Sequence, residues 1–436
     1  MNAQGKTPQT ENTGTPSQSA AVVLGLRANA WQFSLLALVN LFVGGMVGLE
    51  RTVTPLVGTE QFGLSELTVS AFVVAFGVSK ALTNLLSGVV ISRYTRKTVL
   101  IAGWVIGLPV PLMLAFGPAW WWVVAANVLL GINQGLTWSM TVNMKIDLIG
   151  PSNRGLALGI NETAGYLGVA VTALLTGTLA TSYGLRPAPE LLGLGYAVLG
   201  LAITLLAVRD TAAHAELEAR QHPDPGPAPT LRQMFAEVSW RNRTAAGASQ
   251  AGLINNLNDG LTWVILPVLL VARAVSVDGV GLIKALYPFL WAAGMLATGA
   301  LADRIGRKPP TVLGMLVQAA GLVVIVAGLA HPFLAGVIGS LLLGIGTSLV
   351  YPALLAAISD AIHPSRRSSA LGVYRFWRDA GYAAGALVGG LVAVFASLEA
   401  AIVTAAALTA LSGIACQLLM TETHHRPTST AQGAGT

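Results

Sequence analysis

Residues Gly299 to Lys308 read GALADRIGRK, and Gly88 to Lys97, 211 positions earlier, read GVVISRYTRK. Each is a short basic turn between apolar runs long enough to cross a hydrocarbon core of about 30 Å. Two such turns at matching places mean that one structural unit is used twice. Laying the second half on the first with a shift of 213 pairs Gly131 with Gly344, Asp147 with Asp360, Pro151 with Pro364, Ser152 with Ser365, Arg154 with Arg367, Ala157 with Ala370, Gly159 with Gly372 and Gly168 with Gly381. Two six-helix repeats of one unit are the internal symmetry of a secondary transporter.

Composition points the same way. Of 436 residues, 54% are hydrophobic and 10% charged, whereas a soluble domain carries roughly 25% charged residues. A water-soluble enzyme is excluded. The formal charge of +6 is spread between apolar runs instead of clustered on one face, so nucleic acid is not the expected partner. A lone Cys416 excludes a disulfide framework and a multi-Cys metal site. No GxxxxGK[ST] loop is present, so neither ATP nor another cofactor is expected.

Apolar runs lie near residues 31–57, 67–92, 98–117, 119–144, 155–182 and 191–208, then near 246–272, 279–302, 310–330, 332–359, 368–396 and 398–420. They are too long and too uniformly apolar for barrel strands. The expected fold is an all-α integral membrane protein with 12 transmembrane helices in two pseudo-symmetric six-helix bundles. The expected organisation is a disordered tail at 1–28, a first bundle at 29–209, a linker at 210–245, a second bundle at 246–421 and a second tail at 422–436. Most Lys and Arg, including Arg93, Lys145, Arg154, Arg243, Arg304 and Arg367, fall on the side of the termini and linker. By the positive-inside rule that side is cytoplasmic and the membrane is the inner, or cell, membrane. Within the linker, Pro223 to Pro229 (PDPGPAP) reads as a stiff spacer. Thr230 to Arg243 places Leu231, Met234, Phe235 and Val238 at helical spacing, either as an interfacial helix on the inner leaflet or packed on the loops.

The segment Gly299, Leu301, Asp303, Arg304, Gly306, Arg307, Lys308 resembles the loop signature of the major facilitator superfamily, and the resemblance extends over all twelve spans. It implies a cytoplasmic gate in which Asp303 and its Arg neighbours latch helix ends. The first-half copy keeps Gly88, Arg93, Arg96 and Lys97 but has Ser92 and Thr95 where the family usually has Asp and Gly. Asn127 stands where the family's fourth helix often carries Arg, and the fifth helix lacks the Pro of the drug-antiporter pattern. In this family the first, fourth, seventh and tenth helices line the cavity, and the second meets the eleventh between the halves.

An ionisable side chain at bilayer depth costs about 2.5–3.5 kcal/mol even on insertion scales, so each one there is a candidate for work. Lys80 stands 12 residues from Ser92, roughly 18 Å along a helix, and Asp379 lies at the same depth on the eleventh helix. Lys80 and Asp379 are expected to pair across the seam. Arg375 and Arg378 then surround one Asp with surplus cations, which suits an anionic substrate group; a structural ion cluster is the alternative. Glu162 and Asp259 are candidate proton carriers, with simple satisfaction by neighbours as the alternative. Asn255, Asn256 and Asn258 beside Asp259 imply a wet cavity or an unwound stretch. Asn133, Gln134 and Trp138 sit at mid-depth on the fourth helix, and Tyr351 repeats Trp138. Glu50 and Arg51 read as a rim salt bridge or external gate.

The reading that follows is a secondary active transporter, a monomer in lipid, moving a small organic and potentially anionic solute by alternating access with protons as coupling ion. A multidrug efflux antiporter is the alternative within the class. A non-transporting sensor or scaffold is the alternative outside it, and an enzyme is not expected.

Overall fold

In the computed structural model, residues 22–149, 154–221, 230–362 and 366–422 are described. Residues 1–21 and 423–436, the PDPGPAP spacer and the repeat residues Pro151, Ser152, Pro364 and Ser365 lie outside them, as do the side chains of Gly88, Ser92, Arg154 and Arg367. Residues 22–28, expected in the first tail, are described, with Gly25 N–H donating to the Leu148 carbonyl at 2.9 Å. Twelve helices carry the architecture: α1 (Ala30–Gly48), α2 (Glu66–Arg93), α3 (Arg96–Phe116), α4 (Trp120–Ile149), α5 (Arg154–Tyr183), α6 (Ala188–Leu206), α7 (Arg243–Ala272), α8 (Val277–Ile305), α9 (Lys308–Ala327), α10 (Pro332–Ala361), α11 (Arg367–Phe395) and α12 (Leu398–Leu419). Among the described residues, nine of them are long and apolar enough to cross a membrane, and the bent α8 makes ten. The remaining two, α4 and α11, carry Asn127, Asn133 and Gln134 in one case and Arg375, Arg378 and Asp379 in the other. They dilute the apolar signal where the chemistry is placed.

The repeat is a packing repeat. In the first bundle α1 packs on α5 and α6, α2 on α4, and α3 on α4 and α6. In the second, α7 packs on α11 and α12, α8 on α10, and α9 on α10 and α12. The repeated glycines sit at equivalent crossings. A Cβ on Gly168 would come within 2.0 Å of the Leu41 carbonyl oxygen, and one on its repeat partner Gly381 within 2.2 Å of that of Leu253. Small residues at these points let backbones touch, which is how helices associate where lipid removes the hydrophobic drive. The two bundles meet along α2 with α11 and along α5 with α8.

The linker differs from a helix lying free on a leaflet. Thr230 and Gln233 form a reciprocal capping box that starts Leu231–Ala236. Met234 and Val238 are buried with Ala245, Ala248 and Tyr374 of the second bundle. Phe235 stacks against Phe376 and Trp377, while Leu231 and Trp240 remain exposed. The apolar face is therefore shared between the bundle and its surroundings.

Candidate functional site at the seam between the bundles

The gate motifs lie at the linker end of each bundle, and their contacts repeat. Arg96 donates to Asp147 at 3.0 Å, and Arg307 donates to Asp360 at 3.0 Å and to Asp303 at 2.5 Å. Arg96 is thus paired through Asp147 without needing a carboxylate at position 92. The first amide groups of α3 and α9 are also held by acids from the ends of α6 and α12. Lys97 N–H donates to Asp210 (2.9 Å), and the N–H groups of Arg307 and Lys308 donate to Glu422 (2.8 and 3.2 Å). An anion at a helix N-terminus meets unsatisfied donors and the positive end of the dipole. Gly306 lies at φ +103°, and a Cβ there would strike the Glu422 carboxylate. These ties act within each bundle. Arg93 and Arg304 are exposed, and the Lys97 ammonium donates to the Leu205 carbonyl at 3.0 Å. Gly299 packs near Pro352.

At mid-depth a hydrogen-bonded loop crosses the seam twice. Lys145 donates to Asn161 (2.6 Å), and Asn161 donates to Glu162 (3.3 Å). Trp138 Nε1 donates to the same Glu162 oxygen at 2.8 Å, while Tyr351 of the other bundle donates its hydroxyl to the second oxygen at 3.0 Å. Arg378 donates to Tyr351 at 2.5 Å and to Asp379 at 2.8 Å. Asp379 accepts from Asn84 of the first bundle at 2.5 Å, and Asn84 accepts from Ser139 at 2.8 Å. The repeat-related aromatics Trp138 and Tyr351 therefore meet on one carboxylate, and Glu162 is held by neutral donors. Tyr166 and Trp291 fill the seam beside it, their rings stacked at 3.5 Å.

Several expectations from sequence need correction. Lys80 does not pair with Asp379: its ammonium lies among the rings of Phe76, Trp138 and Tyr382, at 5.3, 5.4 and 5.3 Å. Asp379 is satisfied by Arg378 and Asn84, and Arg375 stands half-buried outside that pair. For Asp259 it is the alternative, satisfaction by a neighbour, that the geometry favours, because both terminal nitrogens of Arg51 reach its carboxylate across the seam. The partner of Arg51 is thus Asp259 and not Glu50. Nor is α7 unwound near Asn255: the helix is continuous. Asn255 accepts from Gln318 and Asn258 donates to it, at 3.0 and 3.1 Å, and Thr409 donates to Asn258, so these amides bind α7 to α9 and α12. The side-chain nitrogens of Asn133 and Gln134 donate to the carbonyls of Gly103 and Val43 inside the first bundle. Lys145, expected in a loop, is fully buried.

Asn84, Ser139, Asn161 and Lys145 escape notice in the sequence because single amides, hydroxyls and helix-end lysines carry no spacing signal. Asn84 could have been found: it stands four residues after Lys80, on the same helix face.

Twelve helices in two repeated bundles, with buried charged groups gathered on the seam between them, define the architecture of a secondary transporter. Residues 33–250 and 248–435 each match the Major Facilitator Superfamily, and the chain belongs to that family of multi-pass membrane transporters. It is similar to an uncharacterized MFS-type transporter of Salmonella typhimurium, 23% identical over 392 residues that cover 86% of this chain and 92% of the relative. A probable 4-methylmuconolactone transporter of Cupriavidus pinatubonensis is 22% identical over 255 residues, 58% of this chain and 59% of that one. The multidrug resistance protein MdtH of Shigella boydii is 34% identical over 143 residues, 31% of this chain and 35% of the relative.

Proposed function

We propose that this transporter moves a small organic anion by alternating access, that protons drive it, and that Glu162 is the coupling carboxylate. The observation that carries the reading is the mid-depth loop. It contains two carboxylates, Glu162 and Asp379, against Arg378, Lys145 and the ring-enclosed Lys80, with Arg375 at its edge. Cations in excess favour an incoming anion, and the planar fork of Arg378 matches a carboxylate or phosphate. Glu162 supplies the counterpart. With a proton it remains compatible with Trp138 and Tyr351, and without one it repels the anion from the seam. Binding of solute and proton are thereby linked.

The linker face is cytoplasmic and the Arg51–Asp259 face is outer, in accord with the clustering of exposed Arg and Lys on the linker side. The relative named as a probable 4-methylmuconolactone transporter points to a small organic solute as well. A drug-efflux role is the second reading, favoured by the stacked Tyr166 and Trp291 beside the loop and by the similarity to MdtH.

Counterflow in proteoliposomes tests the substrate class, with solutes chosen by ligand-induced thermal stabilisation. Organic anions are expected to stabilise the protein and to exchange, and Arg378→Gln to abolish both while leaving the protein folded. Stabilisation by lipophilic cations, retained in Arg378→Gln, would overturn the anion reading.

A further inference from the structure

The outer end of α1 holds a polar cluster that the mid-depth loop does not use. Glu50 is fully buried; one oxygen accepts from Asn127 Nδ2 at 3.1 Å, and the other has no hydrogen-bond partner. The Oδ1 of the equally buried Asn127 has none either. Glu190, 1% exposed in the first turn of α6, presents a third partnerless oxygen. One turn further on, Gly193 packs against Leu49, the residue before Glu50. Buried acceptors are normally satisfied. Three left open in one corner of a bundle call for a hydrogen that the carboxyls themselves can carry. Arg51 shows the converse. Its terminal nitrogens are spent on Asp259, yet its Nε–H has no partner. A free acceptor on Glu50 and a free donor on Arg51 thus stand on adjacent residues, unjoined.

We propose that Glu50 is a proton-binding site, supplied through Glu190, whose occupancy decides whether Arg51 stays on Asp259. With a proton on Glu50 the carboxyl is neutral, Arg51 remains bound across the seam, and the outer face is closed as in this structure. When that O–H ionises and the proton passes to water, the carboxylate competes with Asp259 for the neighbouring guanidinium and the cross-seam bond opens. Two features make the exchange feasible. Lys284 of α8, which donates to the Thr262 carbonyl at 3.0 Å, shares a cavity of about 10 Å³ with Arg51 and Asp259 and so places a second nitrogen donor near that acid. Glu190 lies just behind the exposed Pro187, where outer solvent begins. The groups around Glu50 are Arg51 beside it, Asn127 on α4 and Glu190 on α6, while Asp259 on α7 and Lys284 on α8 face Arg51, and Arg186 ahead of α6 acts on Glu190. The assignment rests on the alternating-access reading and not on Glu162.

Ser70 of α2, buried against Gly390 of α11 at the outer seam, gives the readout. In reconstituted Cys416→Ser, Ser70→Cys protein, the rate of labelling by an impermeant maleimide is followed from mildly acid to mildly alkaline pH, normalised to the unfolded chain. Labelling is expected to rise about fivefold or more with pH, the scale of a modest coupling free energy. Glu50→Gln stays slow throughout, Asp259→Asn is fast throughout, and Glu162→Gln keeps the parent's pH response. Infrared titration of protein without the reporter cysteine supplies a second readout: a protonated-carboxyl band lost in Glu50→Gln. A pH response that survives Glu50→Gln, labelling that follows sodium at fixed pH, or an unchanged infrared band overturns the proposal. If Glu162→Gln retains proton-driven transport while the Glu50 response holds, the coupling role of Glu162 fails and the outer switch stands.

Discussion

Lys80 and Asp379 lie at matching depth on α2 and α11, yet the carboxylate is already saturated by Arg378 and Asn84, and the ammonium is held by three rings. Neither group is the other's hydrogen-bond partner, so what joins them is charge acting through space. In a double-mutant cycle, Lys80→Gln and Asp379→Asn are each expected to reduce transport, with a coupling energy of about 1 kcal/mol or less, below that of a directly bonded pair. The single Asp379→Asn change is the costlier, because it leaves the buried guanidinium of Arg378 without its counter-charge. The place of each residue along its helix was legible in the sequence from residue counting. Pairing was not, because the helical rotation of α2 that turns Asn84 toward Asp379 is set by packing and not by spacing.

Among elements, the helix crossings and helix starts carry the repeat. Gly381 meets the backbone of α7 where a Cβ has no room, so Gly381→Val is expected to part α11 from α7 and cost about 1–3 kcal/mol or more. Chemical unfolding of the purified protein in detergent measures this. Gly195, which has no atom near a built Cβ, accepts Ala with little change. At the start of α3, burial alone would raise the Asp210 carboxyl, but the N–H groups of Lys97 and Ala212 and the Thr95 hydroxyl hold it below the usual carboxylate range. A carboxyl depressed in the folded state stabilises above its unfolded value of about 3.9 and loses that contribution as pH falls through and below it. The difference in melting temperature between wild type and Asp210→Asn is therefore expected to be present at neutral pH and to shrink in acid. The glycine repeat and the polar turns were readable beforehand because they recur at a fixed offset. The Asp210 and Glu422 caps were not, because they differ in residue type and hide at the ends of apolar runs.

At the scale of the whole molecule, among the described residues the halves are joined both by neutral ties, Trp263 to the Glu50 carbonyl and Thr163 to the Ala292 carbonyl, and by ties that depend on charge. Of the charged ties, Arg51 on Asp259 stands toward the end away from the linker, and Tyr351 on Glu162 and Asn84 on Asp379 stand midway along the helices. The twelve spans and their two-bundle arrangement could be read from apolar length and repetition. Which acids face a cation and which face neutral donors could not, since Arg51 and Asp259 are 208 residues apart in the chain and meet only once both bundles are packed. On the proposed reading, a seam whose ties change with protonation and with an arriving anion is a two-state element that both ligands can bias.

The most direct test is solute movement in proteoliposomes under an imposed pH gradient, comparing wild type with Glu162→Gln, alongside exchange of solute without a gradient. The account predicts that the substitution keeps solute exchange and loses the gradient-driven component. Undiminished accumulation driven by the pH gradient in Glu162→Gln would contradict it.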